Sequence, residues 1–208
     1  MTKKFTFEKM NDFTYRFYQW PPVNERDDLL DLIMTTAPYT ENIAKNLCNS
    51  DCYRITALQN VLFNGKSKHN IAVLSRYVYE KKFYVWSPKY KNSPGSYQMV
   101  STKTVYEALA EAELIDSNYK YTDCDYGTKP EQRQKCFDEL IAQMCAKNIS
   151  WRVCFDNGSA HGHAIMVCND DKGRPVVIDN SSRPHEWPGN DMYEYIKPSN
   201  IKWWTCIE

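Results

Sequence analysis

The chain has 208 residues, 42% of them apolar and 25% charged, with 26 basic and 26 acidic side chains that cancel. That size and balance suit one domain of ordinary dimensions and exclude a disordered chain. The zero net charge argues against a nucleic-acid partner, and no apolar run approaches the roughly 18 to 20 residues that cross a bilayer.

In chain order, Phe13, Tyr15 and Phe17 alternate with polar residues and predict a strand, which Pro21-Pro22 ends. Residues 25–36 predict a short helix carrying Leu29, Leu30, Leu32 and Ile33. After Asp51-Cys52 a helix is expected to about Asn64, with Ile55, Leu58, Val61 and Leu62 on one face and Gly65 as its stop. The β-branched and aromatic stretch 70–86 fits helix or strand. Residues 87–100 and 116–129 are expected as loops. Helices are expected at 102–115 and 130–147, the second with Pro130 in its first turn and Phe137, Leu140, Ile141 and Met144 inward. Strands follow at 150–155, 162–168 and 174–179. Helices first and an antiparallel sheet afterwards give an α+β fold class.

Eight cysteines stand at 48, 52, 124, 136, 145, 154, 168 and 206. No secretory signal is visible at the N-terminus, so reduced thiols and a cytoplasmic location are expected. No Cys-x-x-Cys pair occurs, which disfavours a zinc ribbon. Most of these cysteines read as small core residues. Cys52 differs. Ser50 or Asp51 is placed to cap the following helix, so Cys52 falls in its first turn. Unpaired N–H groups and the positive dipole end there stabilise a thiolate and offer a place for an oxyanion.

A base is available downstream. Gly162-His163-Ala164-Ile165-Met166-Val167-Cys168 reads as a buried strand opened by histidine, Asn169 to Arg174 as a turn, and Pro175 to Asn180 as the returning strand. A hairpin centred near residue 171 sets His163 opposite Asp179 or Asn180, either of which orients an imidazole by one nitrogen. His161, His185 and His69 are weaker rivals, all in loops. Cysteine, histidine and a third polar group in that order supply a nucleophile, a base and an orienter.

These residues resemble the papain-like superfamily of cysteine peptidases, and most closely its transglutaminase-like branch, which includes bacterial transglutaminase-like cysteine peptidases. The likeness lies in Asp51-Cys52 at a helix start, Gly162-His163-Ala164-Ile165 on a strand, and Val177-Ile178-Asp179-Asn180 after it. Where that branch usually has an acidic residue soon after the cysteine, Tyr53-Arg54 stands here.

The resemblance implies a nucleophile helix packed on an antiparallel sheet, within a single domain over 1–208 that carries an insertion at about 65–148. It implies Cys52, His163 and Asp179 as the catalytic set, with Asn180 the alternative orienter. A carboxylate stabilises an imidazolium better than an amide, which also favours Asp179. Papain-like enzymes place a glutamine six positions before the nucleophile to complete the oxyanion hole. Asn46 holds that spacing, one methylene shorter.

The expected function is therefore hydrolysis of peptide or isopeptide bonds through a thioester acyl-enzyme, on a protein or peptide substrate and without a cofactor. Acyl transfer or deamidation on glutamine shares the same early steps. A catalytically inactive binding module of the same fold is a third reading. A metal site from Cys48, Cys52, His161 and His163 is a fourth, and the weakest.

Overall fold

The computed structural model describes residues 52–69, 71–81, 84–86, 97–99, 101–158, 162–170, 172–178 and 191–208. The strand expected around 13–17 and the helix expected at 25–36 lie outside them.

Cys52–Phe63 forms helix α1, as its apolar spacing predicts. It ends in a Schellman motif. Gly65 takes φ +70°, Lys66 N–H donates to Val61 O at 2.9 Å, and Gly65 N–H donates to Leu62 O at 3.0 Å. The stretch left open at 70–86 divides into helix α2 (Ile71–Glu80) and strand β1 (Tyr84–Trp86). Part of the loop expected at 87–100 is strand β2 (Tyr97–Met99), antiparallel to β1. Helix α3 (Thr102–Glu111) is shorter than expected. Ile55, Leu58, Val61 and Leu62 of α1 cluster with Leu74 and Val78 of α2 and with Val105, Tyr106 and Leu109 of α3.

The other side of α1 departs from a simple amphipathic pattern. Thr56, Gln59 and Asn60 are fully buried. Thr56 and Asn60 face a sheet rather than water, and that sheet supplies matching polar groups. Asn60 Nδ2 donates to Ser150 O at 2.9 Å, and Asn64 Nδ2 donates to Ile207 O at 2.7 Å. Ser150 N–H in turn donates to Asn64 Oδ1 at 2.8 Å. Each amide thus stands in for a missing backbone partner.

That sheet has five antiparallel strands: β3 (Tyr121–Cys124), β4 (Ser150–Phe155), β5 (His163–Asn169), β6 (Pro175–Ile178) and β7 (Ile201–Ile207). Their spatial order is β3-β7-β4-β5-β6. The expected strands at 150–155, 162–168 and 174–179 correspond to β4, β5 and β6. The loop expected at 116–129 contains β3. Strand β7 was not expected, yet it is the strand that joins β3 to β4. Its alternation is broken by a register shift beside Cys154 and Phe155, where Trp203 pairs with Cys154 and Ile201 with Phe155. Lys202 is the extra residue of this bulge, and the two adjacent tryptophans point to opposite faces. The architecture is α+β.

Helix α4 (Pro130–Ala146) covers the face of the sheet away from α1. Cys136, Leu140 and Met144 meet Trp151, Val153, Ile165, Val167 and Trp204 there, with Phe137 and Ile141 at the margin. A short helix, α5 (Met192–Tyr195), follows Asp191, which pairs with Val176 of β6. The stretch 65–148, expected as an insertion around the core, is instead built into it. It supplies α2 and α3 beneath α1, the edge strand β3, and the helix filling the second face. Among the described residues no helix is long and apolar enough to cross a membrane.

Two substitutions test this packing. Leu140 is fully buried between α4 and the sheet, so Leu140→Ala should cost about 2 to 5 kcal/mol in denaturant unfolding. Glu113 ends α3 in the left-handed region at φ 58°, where its N–H donates to Ala110 O at 3.0 Å. Glu113→Gly should relieve that conformation and add about 1 kcal/mol, read as a melting temperature higher by roughly 2 to 4 °C.

Candidate functional site at the start of helix α1

Helix α1 lies on the sheet face that carries Arg152, Cys154, Ala164 and Met166. Tyr53 Oη meets Cys154 Sγ at 3.3 Å, Thr56 meets Arg152, and Phe63 packs with Met166, Cys168 and Ile178. The helix therefore runs from the Cys154 end of β4 towards its Ser150 end. Cys52, the first residue of α1, is half-buried at the end of the sheet where β4 stops and β5 begins.

Gly162 precedes β5 at φ +75°. A Cβ there would meet Phe155 O at 2.7 Å, Lys202 Nζ at 3.0 Å and Cys154 Sγ at 3.5 Å. Only glycine meets both demands. The bulge at Lys202 and the tight approach at Gly162 thus draw β4, β5 and β7 together close to the first turn of α1.

His163 opens β5, as expected, and its backbone pairs with Phe155 at this same end of the sheet. Paired residues in an antiparallel ladder share a face. Its ring stands edge-on to Phe155, with centroids 5.8 Å apart, and Phe155 belongs to the core beneath α4. The structure brings Cys52 and His163 to one end of the sheet but sets the histidine on the face opposite α1.

The hairpin also differs from expectation. Asn169 pairs with Pro175, so the turn centres on Lys172 rather than near 171. For Met166 to Asn169 the partner therefore lies one or two positions later than expected. Asp170 holds this turn. Its carboxylate accepts from Lys172 N–H at 2.9 Å, Arg174 N–H at 2.8 Å and Arg174 Nε at 2.7 Å. Burial pushes that carboxyl up, but these donors outweigh it and the net shift is downward.

Asp179, Asn180 and Asn46 lie outside the described residues, as do Cys48, Asp51, His161 and His185. His69 is exposed, beyond the far end of α1. Among the described residues no group of three or more His, Cys, Asp or Glu side chains is placed to hold a metal ion.

Sequence reasoning missed the residues that surround the first turn of α1. Arg152 is 1% exposed and lies against the rings of Trp203 and Tyr53, 4.7 and 5.2 Å from their centroids. A lone arginine in the run Trp151-Arg152-Val153-Cys154-Phe155 was the available signal, since an unpaired charge is costly in a buried strand. Burial, with Cys154 close by, pushes the Tyr53 phenol well above its usual range.

The thiols divide sharply. Burial pushes Cys124, Cys136 and Cys154 up, and pushes Cys168 and Cys206 up to about 12. Cys145 is exposed on α4 and Cys52 is half-buried. Brief treatment of the native protein with iodoacetamide at neutral pH should label Cys52 fastest, then Cys145, and leave those five protected until unfolding. Peptide mapping reads the order, and dominant labelling at Cys145 or Cys206 would contradict it.

Comparison of the chain with protein-family models, with curated proteins and with solved structures finds no match.

Proposed function

We propose that the chain is a cysteine-dependent hydrolase of peptide or isopeptide bonds, with a papain-like or transglutaminase-like arrangement and Cys52 as nucleophile. The observation that carries this reading is the place of Cys52. It is a half-buried thiol at the first position of a helix laid on an antiparallel sheet, beside the strand that His163 opens.

In this mechanism the Cys52 thiolate adds to the carbonyl carbon of the scissile bond, and N–H groups of the first turn of α1 hold the oxyanion. The tetrahedral intermediate collapses to a thioester as the C–N bond breaks. An imidazolium, assigned to His163, gives its proton to the leaving amine. The same imidazole takes a proton from water, which attacks the thioester, releases the acid and restores the thiol. Asp179 is assigned to orient the imidazole. If a substrate amine replaces water, the outcome is transamidation. If the substrate is a glutamine side chain and water attacks, the outcome is deamidation.

The face on which His163 stands favours a second reading, a catalytically inactive binding module of the same fold. In that case the Cys52 turn contributes to a surface and does no chemistry.

The experiment is a peptide and protein panel followed by mass spectrometry, which distinguishes a cleavage, a +1 Da deamidation and a crosslink. Cys52→Ala should lower turnover by about 10⁴-fold or more without changing the melting temperature appreciably. His163→Gln should also abolish turnover, and Asp179→Ala should cost more than Asn180→Ala. Full turnover in His163→Gln would remove that residue from the mechanism. Full biological function in Cys52→Ala would establish the binding module instead.

A further inference from the structure

We infer that Arg152 is a positioning residue for the Cys52 thiol, acting through the first turn of α1. This rests on the reading of Cys52 as the reactive group and names what holds that group in place.

Arg152 projects from the middle of β4 and spreads its guanidinium over three elements. Nε donates to Thr56 Oγ1 at 3.0 Å, Nη1 to Thr102 Oγ1 at 2.6 Å and Nη2 to Tyr53 O at 2.9 Å. Thr56 Oγ1 in turn donates a hydrogen bond to Cys52 O at 2.6 Å. A guanidinium–hydroxyl–carbonyl path therefore ends on the peptide unit of Cys52. The neighbouring residue is held three ways: Tyr53 by its carbonyl on Arg152, by its ring against Arg152 and Trp203, and by its hydroxyl on Cys154 Sγ.

The concentration of these bonds on one turn is what sets Arg152 apart from an ordinary core residue. Asn60 and Asn64 already anchor the C-terminal half of α1 to β4 and β7. The first turn is the part of a helix most prone to fray, because its N–H groups have no partner within the helix. It is also the part whose N–H groups and thiol must keep a fixed geometry, to within about 0.5 Å, for thiol chemistry. The three acceptors of Arg152 among the described residues are uncharged, two threonine hydroxyls and a backbone carbonyl, so this network holds a direction in space rather than neutralising an ion pair. A planar fork with donors along three directions and a face that stacks on aromatic rings meets these demands. A lysine ammonium does not.

The test is the rate of Cys52 alkylation by iodoacetamide across pH, with Cys145 of the same molecule as reference. Circular dichroism and melting curves establish that each variant is folded. The variants are Arg152→Lys, which keeps the charge and loses the fork, Thr56→Val, which breaks the path and leaves the guanidinium, and Thr56→Ser, which restores the hydroxyl. Arg152→Lys and Thr56→Val should slow Cys52 labelling about tenfold at neutral pH. Cys145 should be unchanged, and Thr56→Ser should match the parent protein. If Arg152→Lys does not fold, Thr56→Val decides alone. A Cys52 profile unchanged in folded Thr56→Val, or a Cys145 profile that changes equally, would overturn the inference. Because labelling needs no substrate, a Cys52 profile that responds while Cys52→Ala leaves turnover unaltered would retain the positioning role and sink the hydrolase.

Discussion

The buried guanidinium of Arg152 is the constraint around which one face of this molecule is arranged. Taking such a cation out of water costs several kcal/mol unless its donors find acceptors and its faces find matching surfaces. Here the acceptors come from two helix starts, Tyr53 O and Thr56 Oγ1 in α1 and Thr102 Oγ1 in α3, and the surfaces come from Tyr53 and Trp203. These partners lie on separate elements, so they meet only if α1, α3, β4 and β7 are all in place. Buried charge is weak evidence for extra stability, but it discriminates between packings, because a shifted helix would strand the guanidinium.

The same requirement explains why α1 is buried on nearly all sides. Its apolar face is covered by α2 and α3, while Thr56 and Asn60 on the other side meet Arg152 and Ser150 of the sheet. The helix is thus seated by apolar burial on one flank and by directional hydrogen bonds on the other. Burial alone would permit sliding along the sheet. Bonds at Arg152 near its start and at Ser150 and Ile207 near its end set the register. They place Cys52 at the end of the sheet and nowhere else.

The second face is built differently. It is apolar, with Trp204 Nε1 donating to Cys136 O at 3.0 Å and Asn169 Nδ2 to Met144 O at 2.7 Å as directional contacts to α4. His163 belongs to this face through Phe155. Cys52 and His163 are therefore neighbours along the sheet and opposed across it. That opposition separates a thiol enzyme from a binding module more sharply than the residue types do.

Much of the local structure was legible in the residues. Apolar spacing in 52–64 and 130–147, the glycine at 65, the proline at 130 and the β-branched runs at 150–155 and 163–169 identify their elements, because propensity and burial agree there. So did the presence of a thiol at a helix start and a histidine at a strand start. Strand β7 escaped because two consecutive tryptophans occupy opposite faces and a bulge at Lys202 interrupts the alternation just before them. The burial of the polar flank of α1 was not legible, since periodicity reports hydrophobicity and carries no information about a buried arginine on a strand some hundred residues later. The hairpin register was missed because Asp170 gathers donors from Lys172 and Arg174 and moves the turn by one residue. Residue types and their local spacing determined which groups have the chemistry to act. Which face each group occupies was decided by tertiary structure alone, because a strand's side chains alternate with a period of two and a single bulge or shifted turn reassigns every one of them.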